Sequence, residues 1–281
     1  MNPCPVCDVY FESDDPLFEI HVNSHFESEE NTINSLPESQ TLNQNWEIIK
    51  SSLSNSSAVL CAPIDYYSNT KDDFWPDSCG YRNLQMLLSS LVSQGWVDKV
   101  YSVNELQILL EESWNAGFDI TGGMQLNFKV VGTNKWIGST EVANVLHYLR
   151  IRFDLYLTEN STKLYDFHQP TGPNRQHPRL VEMVKNYYGD ISEKGVSVTN
   201  RTPLYFQHQG HSQSIIGIER NNEKEYLLLY DPNQKQTGSH LVKLPVERLS
   251  KHRQYSILSV EDKIQESDIE RYKELRSTRI P

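Results

Sequence analysis

Cys79, His211 and Asp231 are the residues of this 281-residue chain whose types and order could attack a carbonyl. Cys79 stands directly before Gly80, where a helical pattern begins: Leu84, Leu87, Leu88 and Leu91 fall at i, i+3, i+4 and i+7, and the pattern stops near Gly95. A thiol at that place sits on the positive end of the helix dipole, among amides that lack intrahelical partners. The setting favours the thiolate, the form that attacks carbonyls. Taken alone, the same residue also reads as a small buried hydrophobe at a helix start.

The downstream half supplies a base and an acid. Residues 211–219 read as a strand, Asn221-Asn222 as a turn, and 226–230 as a second, buried strand that ends in Asp231-Pro232. His211 and Asp231 then lie near the open end of one hairpin. An imidazole so placed takes the thiol proton, and the acid fixes its tautomer and orientation. The chain has nine histidines, and His208 is the main competitor for the role of base. Register decides whether the acid can serve. An odd loop centred on Asn221, or an equivalent bulge, pairs position 211 with 231 and sets both side chains on one face; this is the expectation. A two-residue Asn221-Asn222 turn pairs 211 with 232 and turns Asp231 away.

The N-terminus carries a second set of chemical groups. Cys4 and Cys7 are followed, after thirteen residues, by His21 and His25, the ligand count and spacing of a two-Cys, two-His zinc finger. Phe11 and Phe18 sit at offsets suited to its small core. Four protein ligands leave no open position for water, so zinc here would be structural, and so short a segment needs it to fold. No cofactor is expected for catalysis. The first 49 residues hold ten carboxylates and no Lys or Arg, so nearly all of the whole chain's formal net charge of -11 lies there and the remainder is near balance. A finger that reads DNA needs cations to meet phosphates, so DNA binding is not expected. An acidic finger suits a basic protein surface, or is a metal-stapled knob with no partner of its own.

These sites divide the chain into a finger over 1–27, a Ser-, Asn- and Glu-rich linker over 28–57, and one domain over 58–281. The linker reads as a flexible or weakly helical tether, with a short apolar piece at Trp46, Ile48 and Ile49. In the domain, helices are expected after Cys79 and at 103–116, 139–148 and 178–188, and strands at 151–157, 204–208, 211–219 and 226–230. Residues 259–276 read as a charged, exposed helix. A helical half carrying the cysteine and a sheet-rich half carrying the histidine fit an α+β domain of papain-like type. No apolar run is long enough to span a membrane, and residues 1–25, acidic and polar, do not read as a signal peptide. Of the four cysteines, the zinc and catalytic assignments leave Cys61 over, a reduced, intracellular usage; cytoplasmic or nuclear placement and a monomer are expected.

Five stretches carry a family resemblance: Cys79-Gly-Tyr-Arg-Asn-Leu-Gln-Met-Leu-Leu-Ser-Ser90, Trp136-Ile-Gly-Ser-Thr-Glu141, Asp166-Phe-His-Gln-Pro-Thr-Gly-Pro173, His177-Pro-Arg-Leu180 and Pro203-Leu-Tyr-Phe-Gln-His-Gln-Gly-His-Ser212. In order, and across the last four-fifths of the chain, they resemble the zinc finger-containing ubiquitin peptidase (ZUFSP-type) family, relatives of the proteases that process the ubiquitin-fold modifier. The resemblance implies a papain-like cysteine deubiquitinase that cuts after the Gly-Gly end of ubiquitin, with ubiquitin and polyubiquitin chains as partners. It makes Cys79 the nucleophile, His211 the base and Asp231 the orienting acid. Tyr67 sits at the spacing of the Tyr that the modifier proteases use as an oxyanion donor, with the Cys79 N–H as the other donor. Trp136 and Glu141 become candidates for an apolar wall and a carboxylate that meets an arginine of the ubiquitin tail, against a core tryptophan and a helix-capping glutamate.

Two departures bear on substrate and activity. The modifier proteases place their catalytic histidine right after Asp-Pro, whereas Asp231-Pro232 is followed by Asn233. The family's Gly-Trp-Gly before the cysteine is replaced by Pro76-Asp77-Ser78, and no Gln lies between Ala58 and Cys79. A deubiquitinase is the leading reading; a catalytically weak ubiquitin-binding adaptor and a protease for the ubiquitin-fold modifier are the alternatives.

Overall fold

The computed structural model describes residues 40–69, 78–153, 163–168, 178–191, 195–208, 210–234, 240–251 and 254–280, and the antiparallel pair Asn2–Pro3 with Tyr10–Phe11. Six helices are described: α1 (Gln40–Ser52), α2 (Cys79–Ser93), α3 (Val103–Asn115), α4 (Ile120–Gln125), α5 (Ser139–Tyr148) and α6 (Pro178–Tyr188). Nine strands form one mixed sheet: β1 (Ser57–Leu60), β2 (Lys163–His168), β3 (Gly195–Val198), β4 (Leu204–His208), β5 (His211–Asn221), β6 (Lys224–Tyr230), β7 (Leu241–Pro245), β8 (Gln254–Leu258) and β9 (Arg276–Ile280).

The sheet runs β7-β6-β5-β4-β8-β2-β9. β5 is its long spine. One edge of β5 pairs with β6 through the hairpin, while the other is shared between β4 near His211 and β1 near Arg220. Successive residues point to opposite faces, so Leu204, Phe206 and Ile257 join one core with α1 and α6, while Tyr205 and Leu258 join a second core with α2, α3 and α5. Most of the sheet is antiparallel, but β1 with β3 and β2 with β9 are parallel pairs.

The helix that begins at Cys79 is buried on more than the one expected face. Tyr81, Leu84, Leu87, Leu88 and Leu91 enter the second core, Met86 enters the first, and Asn83, Gln85, Ser89 and Ser90 are buried as well. The leucine spacing marks only the side toward α3 and α5. The other side packs on β5 through residues too polar to register as an apolar stripe.

The tether expected through residue 57, flexible or weakly helical, is a helix from Gln40 to Ser52, and Trp46 and Ile49 on it, with Leu53 just after it, lie inside the first core. Two expectations are corrected. The strand expected over 151–157 is two residues, Ile151–Arg152, paired with Asp262–Lys263; residues 154–157 lie outside the described residues. The exposed helix expected at the tail is a 3₁₀ segment, Glu266–Tyr272, between that short strand and β9. Its charged residues satisfy solvent in either conformation, so composition alone does not select between them.

Candidate active site

Cys79 is the first residue of α2, partly exposed. The residue after it must be glycine: a Cβ on Gly80 would lie 2.5 Å from the carbonyl oxygen of Ile137. The 136–138 segment therefore runs against the start of the nucleophile's helix. Burial pushes the Cys79 thiol up, but a hydrogen bond with His211, hydrogen bonds with Ser212 and the charge of His211 outweigh it and hold the thiol below its usual range. This is the thiolate-favouring setting that a nucleophile needs.

His211 opens β5 directly after the turn that ends at Gly210. Its Nε2 is 2.9 Å from Oδ1 of Asp231, which leaves Nδ1 as the nitrogen for the thiol. Burial would lower the imidazole, but its hydrogen bonds to Asp231 and to Cys79, and their charges, raise it to about 9. Burial likewise opposes ionisation of Asp231, whose carboxyl is nonetheless held low by His211, by the Asn233 N–H and by Gln213. The Asn233 N–H donates to Oδ1 at 2.9 Å and the Gln213 amide to Oδ2 at 2.8 Å, so both carboxylate oxygens are engaged. The arrangement favours a thiolate beside an imidazolium.

The hairpin reaches this geometry by a route the sequence pattern does not show. Its turn is the two-residue Asn222-Glu223, not the odd loop centred on Asn221 expected to pair 211 with 231, and both turn residues are at positive φ as a tight two-residue turn requires. From that turn Gly217 pairs with Leu228, a register that would set Asp231 opposite Ser214 and away from the His211 face. A bulge between Ile215 and Gly217 shifts the pairing by one, so that Ser214 meets Tyr230 and Asp231 falls opposite Gln213. His211 and Gln213, two apart on one strand, then share a face with the acid. The bulge sits where the far edge of β5 passes from β4 to β1. There the Cys61 N–H donates to the Ile216 carbonyl at 2.8 Å. Gly217 allows the approach, since a Cβ on it would lie 2.3 Å from the Val59 carbonyl oxygen.

The other expected site residues gather around this centre with different outcomes. His208 pairs with His211 across the β4–β5 turn, its ring 5.5 Å away, but it is His211 that reaches Asp231. Trp136 is 58% exposed, and a Cβ on Gly210 would touch its ring at 3.9 Å. It is a surface indole beside the histidine's turn, not a core residue. Glu141 caps its own helix: the Gly138 N–H donates to its Oε2 at 2.7 Å. The carboxylate expected to meet a substrate arginine is thus engaged by backbone, because the first turn of α5 has an orphan N–H that a residue three positions on can satisfy. Tyr67 is half-buried, and burial and the Asp65 charge, against Arg82, push its phenol up to about 12, so it stays a hydrogen-bond donor. Its neighbour Tyr66 donates to the Asp231 carbonyl at 2.6 Å, and the Asn69 N–H to the Pro232 carbonyl at 2.9 Å. The zinc ligands expected at Cys4, Cys7, His21 and His25 lie outside the described residues.

Sequence reading passed over Asn83, which donates to the Cys79 carbonyl at 2.8 Å, and Gln213, which donates to the Asp231 carboxylate at 2.8 Å. Gln213 was open to detection as the next residue on the His211 face of the strand. Asn83 lies within the resembling stretch, one helical turn after Cys79, where a polar residue among leucines is itself a signal.

Residues 54–263 match the sequence model of peptidase family C78. Zinc finger-containing ubiquitin peptidase 1 of Rattus norvegicus is 38% identical over 221 residues, covering 70% of this chain and 36% of that protein. Its Homo sapiens counterpart is 37% identical over 224 residues, covering 72% and 37%. Ubiquitin carboxyl-terminal hydrolase mug105 of Schizosaccharomyces pombe is 29% identical over 236 residues, covering 77% and 88%. The chain spans little more than a third of the length of the mammalian relatives. Among solved structures, the crystal structure of UfSP from C. elegans aligns with a TM-score of 0.51 at 17% identity, covering 79% of this chain and 37% of that one. The described domain has that papain-like fold, with mixed helix and sheet.

Proposed function

This chain belongs to peptidase family C78, and we propose that it is a deubiquitinating cysteine peptidase that cuts peptide and isopeptide bonds after the C-terminal Gly-Gly of ubiquitin, within polyubiquitin chains. The observation that carries this reading is the alignment of Cys79, His211 and Asp231, a low thiol beside a raised imidazole that a carboxylate orients. The names of the similar rat, human and fission-yeast proteins support ubiquitin as the modifier recognised.

In this reading the Cys79 thiolate attacks the carbonyl carbon of the terminal glycine. The oxyanion that forms is met by the Cys79 N–H, free at the helix start, and by the Tyr67 hydroxyl. His211 gives its proton to the departing amine, and a thioester remains on Cys79. A water molecule then loses a proton to His211 and attacks the thioester, releasing the ubiquitin carboxylate and restoring the thiolate–imidazolium pair. Trp136 lines the approach beside Gly210, an apolar wall for a narrow groove that admits glycines.

Asn233 supports ubiquitin over the ubiquitin-fold modifier. Its amide cannot shuttle a proton at neutral pH, and its backbone N–H is already engaged by Asp231, so catalysis rests on His211. Offered both substrates side by side, the protein is expected to cleave polyubiquitin and to process the modifier precursor little or not at all. Preferential cutting of the modifier would overturn the reading. A ubiquitin probe with a C-terminal electrophile is expected to form an adduct at Cys79; a chain that binds the probe without reacting is the inactive adaptor instead.

The N-terminal segment fits a structural zinc finger held by Cys4, Cys7, His21 and His25. The pair Asn2–Pro3 with Tyr10–Phe11 brackets both cysteines, as the hairpin of such a finger would. Among the described residues no group of three or more His, Cys, Asp or Glu side chains could hold a metal ion. The purified chain is expected to carry one zinc, and removal of residues 1–27 is expected to remove it. Hydrolysis of a small fluorogenic ubiquitin substrate should survive, with chain binding weakened through loss of a second contact. Zinc that persists after the deletion places the site elsewhere. No described helix is long and apolar enough to cross a membrane.

A further inference from the structure

The nucleophile and the base arrive on separate elements, Cys79 on the first turn of α2 and His211 on the first residue of β5, and something must fix the distance between them. We propose that Asn83 is the positioning residue that does so, clamping the start of the nucleophile's helix to the strand that carries the base. The proposal rests on the catalytic roles given above to Cys79 and His211.

Asn83 is fully buried, at 0% exposure. Its Nδ2 donates to the carbonyl of Cys79 at 2.8 Å and to the carbonyl of Ser212 at 2.8 Å. Its Oδ1 accepts from the Ser214 hydroxyl at 2.8 Å. One amide thus holds the backbone of the nucleophile and the backbone of the residue next to the base, with both amide protons used and the oxygen satisfied. Only a primary amide on this short stem offers two donors and one acceptor there. Aspartate has the same shape but no proton to give, and its charge would face two carbonyls. Leucine has a similar volume and makes none of the three bonds. Ser212 extends the clamp: its backbone also bonds to the Cys79 thiol, and its hydroxyl pairs with Tyr205 at 2.8 Å.

A merely structural asparagine would change stability alone, so the test reads the thiolate. The rate of Cys79 alkylation by iodoacetamide, followed by mass spectrometry of the Cys79 peptide, is measured against pH together with kcat and KM on a fluorogenic ubiquitin substrate. The native chain is expected to alkylate well below the pH of an ordinary thiol. In Asn83→Leu the alkylation profile is expected to move up toward that of an ordinary thiol, with kcat reduced ~100-fold and KM little changed, as for a displaced catalytic group. Ser214→Ala, which removes only the hydroxyl that orients the amide, should fold normally and shift both readouts in the same direction by a smaller amount, about threefold in kcat. Asn144 provides the control, a fully buried amide that bonds to Ser113 at 2.7 Å in α3. Asn144→Leu is expected to lower Tm while leaving the alkylation profile native. A native profile in both Asn83→Leu and Ser214→Ala would overturn the proposal. If the native chain itself alkylates only as an ordinary thiol, the thiolate reading of the site has failed, and the clamp falls with it.

Discussion

Cys79→Ala is expected to reduce ubiquitin hydrolysis to background, a loss of roughly a millionfold by analogy with removal of other catalytic nucleophiles, and to end labelling by an electrophilic ubiquitin probe. The fold should be unaffected, since the change removes a sulfur from a partly exposed helix start. Cys61→Ala is the matched comparison. Cys61 is fully buried at the end of β1, and burial pushes its thiol far above the usual range while its Sγ–H donates to the Ala62 carbonyl at 3.1 Å. It should leave activity unchanged and reduce stability slightly through the small cavity it creates. Labelling that persists in Cys79→Ala and vanishes in Cys61→Ala would assign the nucleophile wrongly.

The second large effect concerns the base and its acid. His211→Ala should lower kcat by roughly a millionfold, as loss of a triad's base does, while His208→Ala should not, because His211 is the histidine that bonds to Asp231 at 2.9 Å. Asp231→Asn is expected to be milder. An Asn oxygen can still accept from Nε2 and from the Asn233 N–H, and Gln213 can turn its amide to meet the new NH₂. What is lost is charge. In the native chain the active thiolate–imidazolium pair exists above the lowered thiol pKa and below the imidazole value of about 9, so kcat/KM should be bell-shaped with an alkaline limb near 9. Both the hydrogen bond and the charge of Asp231 raise the imidazole. Without that charge the imidazole falls, so the alkaline limb of Asp231→Asn should move to lower pH. A profile measured with the fluorogenic substrate that shows no such movement would remove Asp231 from the role of setting the base.

The chemistry of the site was legible because it is written in short stretches. A cysteine before a leucine pattern of helical spacing, a histidine at a strand start and an aspartate at the end of the next strand are local features, and helix and strand periodicity place them without reference to distant residues. The helices around Ser139–Tyr148 and Pro178–Tyr188 and the strands Leu204–His208 and Lys224–Tyr230 were legible for the same reason. Their apolar residues repeat at the period of the element they form.

What the sequence left open was decided by partners far away in the chain. Helix α1 reads as a polar tether because Trp46, Ile49 and Leu53 are a sparse stripe; it is ordered by the core it enters, not by its own composition. Glu141 could have met a substrate or its own helix, and the free N–H of Gly138 claimed it. The face of Asp231 depended on a bulge at Ile216, which exists because one edge of β5 must serve β4 and then β1, and the Cys61 amide takes the carbonyl at the handover. Periodicity counts residues along one strand and cannot see that exchange. The sequence by itself thus singled out the candidate groups for the chemistry, since reactivity belongs to residue types and their local elements. Only the tertiary structure decided that they face one another, since register is set by hydrogen bonds between strands distant in sequence.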